Sequence, residues 1–181
     1  MENNKFFGLL IKIPIKLRNY TEKIFFQDCN SKLIFSVLFM SNNLIFHLAI
    51  PINNIELAKK FYRDGLGCQV GRENDKAIIF NFSGHQLVAH MTQESLQPQR
   101  GIYPRHFGIV YPTLTAWQEL ADRVQNHGLS FHQQPRQRFP NQITEHWVFF
   151  LEDPFYNLLE FKHYSNPESI FEPVTATIGD R

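Results

Sequence analysis

The stretch LIFHLAIPINNIELAKKFYRDGLGCQV, Leu44 to Val70, changes its hydrophobic period part-way along. Up to Pro51 apolar character alternates towards a period of two, and beyond it apolar residues recur near every 3.6 positions, so a strand feeds a helix. Asn53 or Asn54 can cap that helix, Leu57, Ala58, Phe61 and Tyr62 form its buried stripe, and Gly65 with Gly67 ends it. Short strands are predicted over Gly67 to Arg72, Lys76 to Phe82 and His85 to Met91, with turns at Asn74-Asp75 and Ser83-Gly84.

The same order restarts downstream. RHFGIVYP, Arg105 to Pro112, reads as a strand, and a helix near Thr115 to Asn126 presents Trp117, Leu120, Ala121 and Val124 before stopping at Gly128. Later strands fit Leu129 to Gln133, Thr144 to Leu151 and Leu158 to His163, the last two joined by a turn at DPFYN, Asp153 to Asn157. His47-Leu-Ala-Ile aligns with His106-Phe-Gly-Ile, and aligning Gly84 with Tyr156 sets Val88 opposite Glu160 and His90 opposite Lys162. The fold class is therefore α+β, two paired βαβββ modules at residues 44–92 and 105–164 joined by a linker. Residues 1–43 read as an N-terminal extension and 165–181 as a tail. One module alone leaves a sheet face uncovered, so pairing the two buries both and can enclose a pocket between them.

Composition limits the partners. Of the 181 residues 19% are charged and the formal net charge is +1, which gives no general electrostatic reason to bind nucleic acid or an anionic membrane. Six Lys or Arg against three Asp or Glu precede Ser41, so the excess positive charge lies outside the modules. The apolar runs Phe6 to Leu17 and Leu33 to Met40 fall short of the ~18 residues a membrane helix needs, and Lys12 and Lys16 interrupt the first. Cys29 and Cys68 stand alone in unlike contexts, which fits a reducing, cytoplasmic setting better than a disulfide framework or a multi-Cys zinc site. No glycine-rich phosphate cradle occupies a strand-helix junction, and Ser83-Gly84-His85 makes no nucleophile elbow. A small molecule is the expected ligand.

Three side chains carry the chemistry. His47 and His106 occupy equivalent positions in the two opening strands, and Glu160 lies in the closing strand of the second module. Period-two alternation turns His47 with Ala49, and His106 with Gly108, away from the apolar residues that pack behind them. A lone strand His or Glu is more often structural than catalytic. Two equivalent histidines with an inward carboxylate ask for a common explanation, and a divalent cation with open coordination positions supplies one.

Over Ile45 to Tyr164 the chain resembles the vicinal oxygen chelate superfamily, the glyoxalase, bleomycin-resistance and extradiol dioxygenase group. The resemblance is carried by FHLAIP at Phe46, AKKFYRDGLGC at Ala58, GHQLVAH at Gly84, RHFGIV at Arg105 and DPFYNLLEFK at Asp153. It implies metal ligation by His47, His106 and Glu160. GHQLVAH, RHFGIV and LEFK look most like a subgroup labelled predicted extradiol-type dioxygenases, which implies Fe2+ or Mn2+, with Zn2+ or Ni2+ as alternatives, and a vicinal-diol or related oxygen-chelating substrate. His90 is then a candidate acid/base residue. Val88 stands where a glyoxalase-like enzyme would offer another carboxylate, which disfavours glutathione-linked isomerase chemistry. A metal-dependent isomerase or lyase and a non-catalytic small-molecule-binding protein remain the alternatives, and paired modules of this kind are compatible with a homodimer. In the final turn Phe155 and Tyr156 replace the family's small residue and Gly, which puts the placement of Glu160 in question. Gln133 to Gln142, with Pro135, Arg136, Arg138 and Pro140, reads as a loop or a lid over an acidic or hydroxylated ligand. His146 is a candidate substrate-lining residue, His85 a turn or packing residue, His127 and His132 surface residues, and His163 alternates away from Glu160.

Overall fold

The structure, a computed structural model, describes residues 44–171. Every element below lies within the unit Ser41–Arg181. The N-terminal extension, its two apolar runs and Cys29 lie outside the described residues, as does the tail beyond Phe171.

The first module runs β1 (His47–Ile52), α1 (Ile55–Ala58) continuing as a π-helical turn (Lys59–Gly65), β2 (Gln69–Glu73), β3 (Ala77–Phe82) and β4 (His85–Met91). The second runs β5 (Phe107–Val110), α2 (Leu114–Asn126), β6 (Phe131–Arg138), β7 (His146–Glu152) and β8 (Leu158–Tyr164). Their sheets have the same topology, β1-β4-β3-β2 and β5-β8-β7-β6, each with one parallel pair formed by the opening and closing strands. The βαβββ module is thus present twice, and register matches the internal alignment. Ala49 pairs with Val88 as Gly108 pairs with Glu160, and Pro51 pairs with His90 as Val110 pairs with Lys162.

Capping follows from residue chemistry. Asn54 Oδ1 accepts from the Leu57 amide at 3.0 Å, and Thr113 Oγ1 from the Ala116 amide at 3.2 Å, each satisfying an orphan donor of a first turn. The helical stripe that is buried is Ala58, Phe61, Tyr62 and Gly65, whereas Leu57 is 44% exposed. Leu57 precedes Ala58 by one residue, about 100° round the helix, so it falls off the i, i+3, i+4, i+7 face.

The second departure is β6, which runs on to Arg138 where a loop or lid was expected. Pro135 is accommodated because β6 is an edge strand and its pairing with β7 shifts register between Gln133 and Arg136, so no ladder hydrogen bond is asked of the missing N–H. Only Phe139 to Gln142 remain of the predicted loop, with Phe139 and Asn141 at φ +50° and +62°.

One hydrophobic core serves both modules, joining Phe61, Tyr62 and Phe80 of the first to Trp117, Phe149 and Phe161 of the second. Phe82 lies with its ring centroid 6.1 Å from both Phe107 and Phe161. Two polar links reinforce this contact. Arg123 of α2 donates to the Gly65 carbonyl at 2.8 Å and the Asp64 carbonyl at 2.7 Å, satisfying the end of the first helix. Tyr62 donates to Asp153 Oδ2 at 2.6 Å. The Asp153 carboxylate also accepts from the amides of Phe155 and Asn157 and from Asn157 Nδ2. Burial raises the pKa of this carboxyl, opposed by those hydrogen bonds.

Candidate metal centre

The face of each sheet turned away from the shared core holds the candidate residues. On β7 and β8 the core takes Phe149, Leu151, Leu159 and Phe161, while Val148, Phe150 and Leu158 form a separate apolar cluster with Ile102 of the linker. Glu160 and Lys162 share the face of that smaller cluster by strand alternation, since Glu160 pairs with Phe150 and Lys162 with Val148.

His106, immediately before β5, joins them. Its Nε2 lies 3.2 Å from Glu160 Oε2, and the same carboxylate oxygen is 3.0 Å from Lys162 Nζ. His106 Nδ1 is 2.7 Å from the Ile102 carbonyl, and a carbonyl can only accept, so Nδ1 carries a proton and donates it. The Phe150 ring stands edge-on to the imidazole at 5.5 Å and fixes its plane. In the neutral imidazole Nε2 then has its lone pair aimed at a carboxylate oxygen.

Three features hold this geometry in place. Trp117 Nε1 donates to the Phe161 carbonyl at 2.9 Å, tying α2 to β8 beside Glu160. Gly108 permits the close approach of β5 to β8: a Cβ there would overlap the Glu160 carbonyl oxygen and stand 2.6 Å from its carbonyl carbon. The final turn keeps the left-handed residue it needs although glycine is absent, because Tyr156 adopts φ +68° while Asp153 holds the neighbouring amides.

His47 is exposed, and its Nδ1 hydrogen-bonds Gln86 Oε1 at 2.6 Å, its register partner on β4. Among the described residues no third His, Cys, Asp or Glu makes a metal-holding cluster with His106 and Glu160. His90 is exposed at the far end of β4, two residues beyond the buried Val88. Between β1 and β5 a cavity of about 260 Å³ is lined by Ala49, Pro51, Gln99, Arg105, His106 and Tyr156 among others. Gln99 Nε2 donates to the Arg105 carbonyl, whereas the buried Gln99 Oε1 has no hydrogen-bond partner. A buried acceptor of this kind calls for a donor from water or ligand.

The other histidines have local partners. His146, 7% exposed, donates from Nδ1 to the Thr144 carbonyl at 2.8 Å and packs between Phe139 and Tyr164, so burial lowers its pKa. His85 accepts from the Phe46 amide at 3.3 Å, and His163 donates to the Tyr111 carbonyl at 3.1 Å. The reading of residues in isolation overlooked Lys162, whose signal was its position two residues after Glu160 on one strand face. It also overlooked Gln99, which sits in an irregular linker and leaves no pattern to read.

Residues 44–161 match the model of the glyoxalase/bleomycin resistance protein/dioxygenase superfamily. The chain belongs to that superfamily. A glyoxalase/bleomycin resistance protein/dioxygenase from Alicyclobacillus acidocaldarius is 37% identical over 73% of this chain and 100% of its own, with a TM-score of 0.68. The fold is also that of a fosfomycin resistance protein from Listeria monocytogenes, 16% identical over 67% of this chain and 93% of its own, TM-score 0.53. A lactoylglutathione lyase from Agrobacterium tumefaciens shares it at 20% identity over 66% of this chain and 92% of its own, TM-score 0.51. Members of this superfamily bind small molecules, and no helix among the described residues is long and apolar enough to cross a membrane.

The donor chemistry of His106 and Glu160 fits a divalent cation. A lone pair and a carboxylate oxygen facing each other at 3.2 Å repel unless a proton or cation lies between them. One chain brings together two of the three expected donors and leaves His47 with Gln86.

Proposed function

We propose that this protein is a metal-dependent, dioxygenase-like oxidoreductase acting on a small vicinal-diol or related oxygen-chelating substrate. The observation that carries the proposal is the His106 Nε2 to Glu160 Oε2 approach, with the imidazole tautomer set by the Ile102 carbonyl. In this reading His106, Glu160 and His47 hold the cation, Fe2+ or Mn2+ in preference to Zn2+ or Ni2+. Such an ion, when bound, supplies Lewis acidity and open positions for substrate and oxygen.

The chain's own residues do the remaining work. Ile102 holds the ring so that Nε2 is the ligand atom, and Lys162 balances part of the Glu160 charge. Gln99 Oε1 offers an acceptor to a substrate hydroxyl, and Phe150 and Val148 exclude water from the floor of the face. His90 is assigned the acid/base role. His47 reaches the cation from a second copy of the chain, a homodimer that also covers exposed Leu44, Ile45, Phe46 and Val110. The unit formed by residues 44–164 carries the activity, with the cytoplasm as its setting, where the buried free thiol of Cys68 stays reduced.

Mn2+ titration by calorimetry, followed by oxygen uptake with catechol on iron-loaded protein, tests the reading. Wild type is expected to bind one ion per site and to consume oxygen, with His106→Ala and Glu160→Gln losing at least about 100-fold in affinity. Folded wild-type protein that binds neither Mn2+ nor Fe2+ would end it. Metal-dependent turnover of an α-oxo compound without oxygen uptake would favour an isomerase instead.

A further inference from the structure

The cavity of about 260 Å³ between β1 and β5 carries an unbalanced charge. Arg105 is the one permanent cation that lines it, and no Asp or Glu among the described residues does. Arg105 is exposed, and its guanidinium has no ion pair or hydrogen bond with any described residue. Gln99 Nε2 donates to the Arg105 carbonyl and so fixes the backbone from which that side chain departs. The two acids of the adjoining turn and strand are engaged elsewhere. Asp153 is held by Tyr62 and by the amides of its own turn, and Glu160 by Lys162 at 3.0 Å and His106 at 3.2 Å.

A second donor comes from the backbone. β1 is an edge strand and gives the cavity four consecutive residues, Leu48 to Pro51, so the edge of the strand lines the cavity rather than one of its faces. The amides of Gln86 and Thr92 donate to the Phe46 and Ile52 carbonyls, each at 2.9 Å, which sets the phase of the parallel ladder. Even-numbered residues of β1 therefore turn their backbone groups to β4, and odd-numbered residues turn theirs to the open edge. Pro51 has no N–H, so the exposed Ala49 supplies the unpaired amide on the stretch that lines the cavity. The cavity is smaller than the roughly 300–1,000 Å³ of sites for drug-sized ligands, so its ligand is small.

We infer that Arg105 and the Ala49 amide form an oxyanion subsite beside His106, and that the small molecule taken there is a carboxylic acid. A planar guanidinium fork matches the two oxygens of a carboxylate, and the amide of a fixed strand adds a donor that needs no ordering. Leu48 and Phe107, both half-buried, give the body of the acid an apolar wall. The inference rests on the preceding reading only in identifying the bound acid as the substrate, with its oxygen-chelating group turned towards His106 and Glu160. The subsite itself needs no cation.

The test uses the full chain, freed of metal with chelator, titrated with benzoate and with neutral benzamide of the same shape and followed by amide chemical shifts. Benzoate is expected to bind at least about 10-fold tighter than benzamide, as a charge-assisted contact implies, and to move the Ala49 and His106 amides. Rising salt should weaken benzoate and leave benzamide unchanged. Arg105→Gln is expected to lose at least about 10-fold for benzoate with an unchanged melting temperature, while Arg105→Lys retains part of it. Equal affinity for the two probes, shifts confined to residues away from the cavity, or benzoate affinity unchanged in folded Arg105→Gln would overturn the inference. The Mn2+ titration reports on the metal reading separately, since it follows His106 and Glu160. Protein that binds benzoate at Ala49 but no Mn2+ would end the metal reading alone, and protein that binds Mn2+ but not benzoate would end this inference alone.

Discussion

Replacing Gly108 with Ala attacks the candidate site through the backbone that builds it. The new Cβ would meet the Glu160 carbonyl carbon at 2.6 Å and its amide nitrogen at 2.9 Å, against 3.4 Å for ordinary contact, and backbone atoms cannot rotate away. Relief requires β5 and β8 to part by more than about 0.8 Å, because the Glu160 carbonyl oxygen overlaps the new Cβ more closely still, and that breaks ladder hydrogen bonds that begin at about 2.9 Å. Losing two such bonds costs about 1–3 kcal/mol, which agrees with the usual penalty for overfilling a packed site. For a protein of this length that is a fall of roughly 2–12 °C in melting temperature. The same movement separates His106 from Glu160, so Mn2+ affinity should fall by at least about 10-fold, a loss larger than the global destabilisation alone explains. Ala49 occupies the equivalent position of the first module opposite Val88, and Ala49→Gly should leave metal affinity unchanged. Thermal denaturation and calorimetry of both variants make the comparison. Gly108→Ala protein that melts within a degree of wild type and binds Mn2+ equally would refute the reasoning.

Other parts of the structure carry their own expectations. Tyr156 holds φ +68° with its side chain 41% exposed, so Tyr156→Gly should stabilise the fold by about 0.5–1 kcal/mol in urea denaturation, and a lower midpoint would contradict the strained turn. Tyr62→Phe leaves the buried Asp153 without one of its donors and should cost about 1.5–3 kcal/mol at neutral pH. Burial, then the Asp153 charge, holds the Tyr62 phenol well above its ordinary range, so its folded pKa exceeds its unfolded one. Its contribution is therefore complete below about pH 10 and lost as pH rises beyond, and the variant should show a shallower alkaline loss of stability than wild type. Burial pushes the Cys68 thiol up to about 12, so a thiol reagent at about pH 8 should leave it unmodified until the protein unfolds.

The doubled plan was legible because each module repeats the same switch from period two to period 3.6, and because register preserves the alignment of Val88 with Glu160. Glu160 and His106 could be brought to one face by strand alternation alone. Long-range chemistry left no local trace: nothing near Tyr62 announces Asp153, 91 residues later, and nothing near Arg123 announces the carbonyls of Asp64 and Gly65. Gly108 looked like a neutral small residue until its approach to β8 was seen. The extent of β6 was hidden by Pro135, a residue that normally ends a strand and here falls at a register shift on an open edge. Equivalence in sequence placed His47 and His106 alike in their modules, but equivalence within modules does not fix which modules face each other across a site.

Anomalous diffraction from crystals of Mn2+-loaded protein tests the central claim most directly. The account predicts one strong peak at roughly 2.0–2.2 Å from His106 Nε2 and a Glu160 carboxylate oxygen, with His47 of a second copy completing the set. A peak bound elsewhere, or none in protein whose His106 and Glu160 remain 3.2 Å apart, would contradict it.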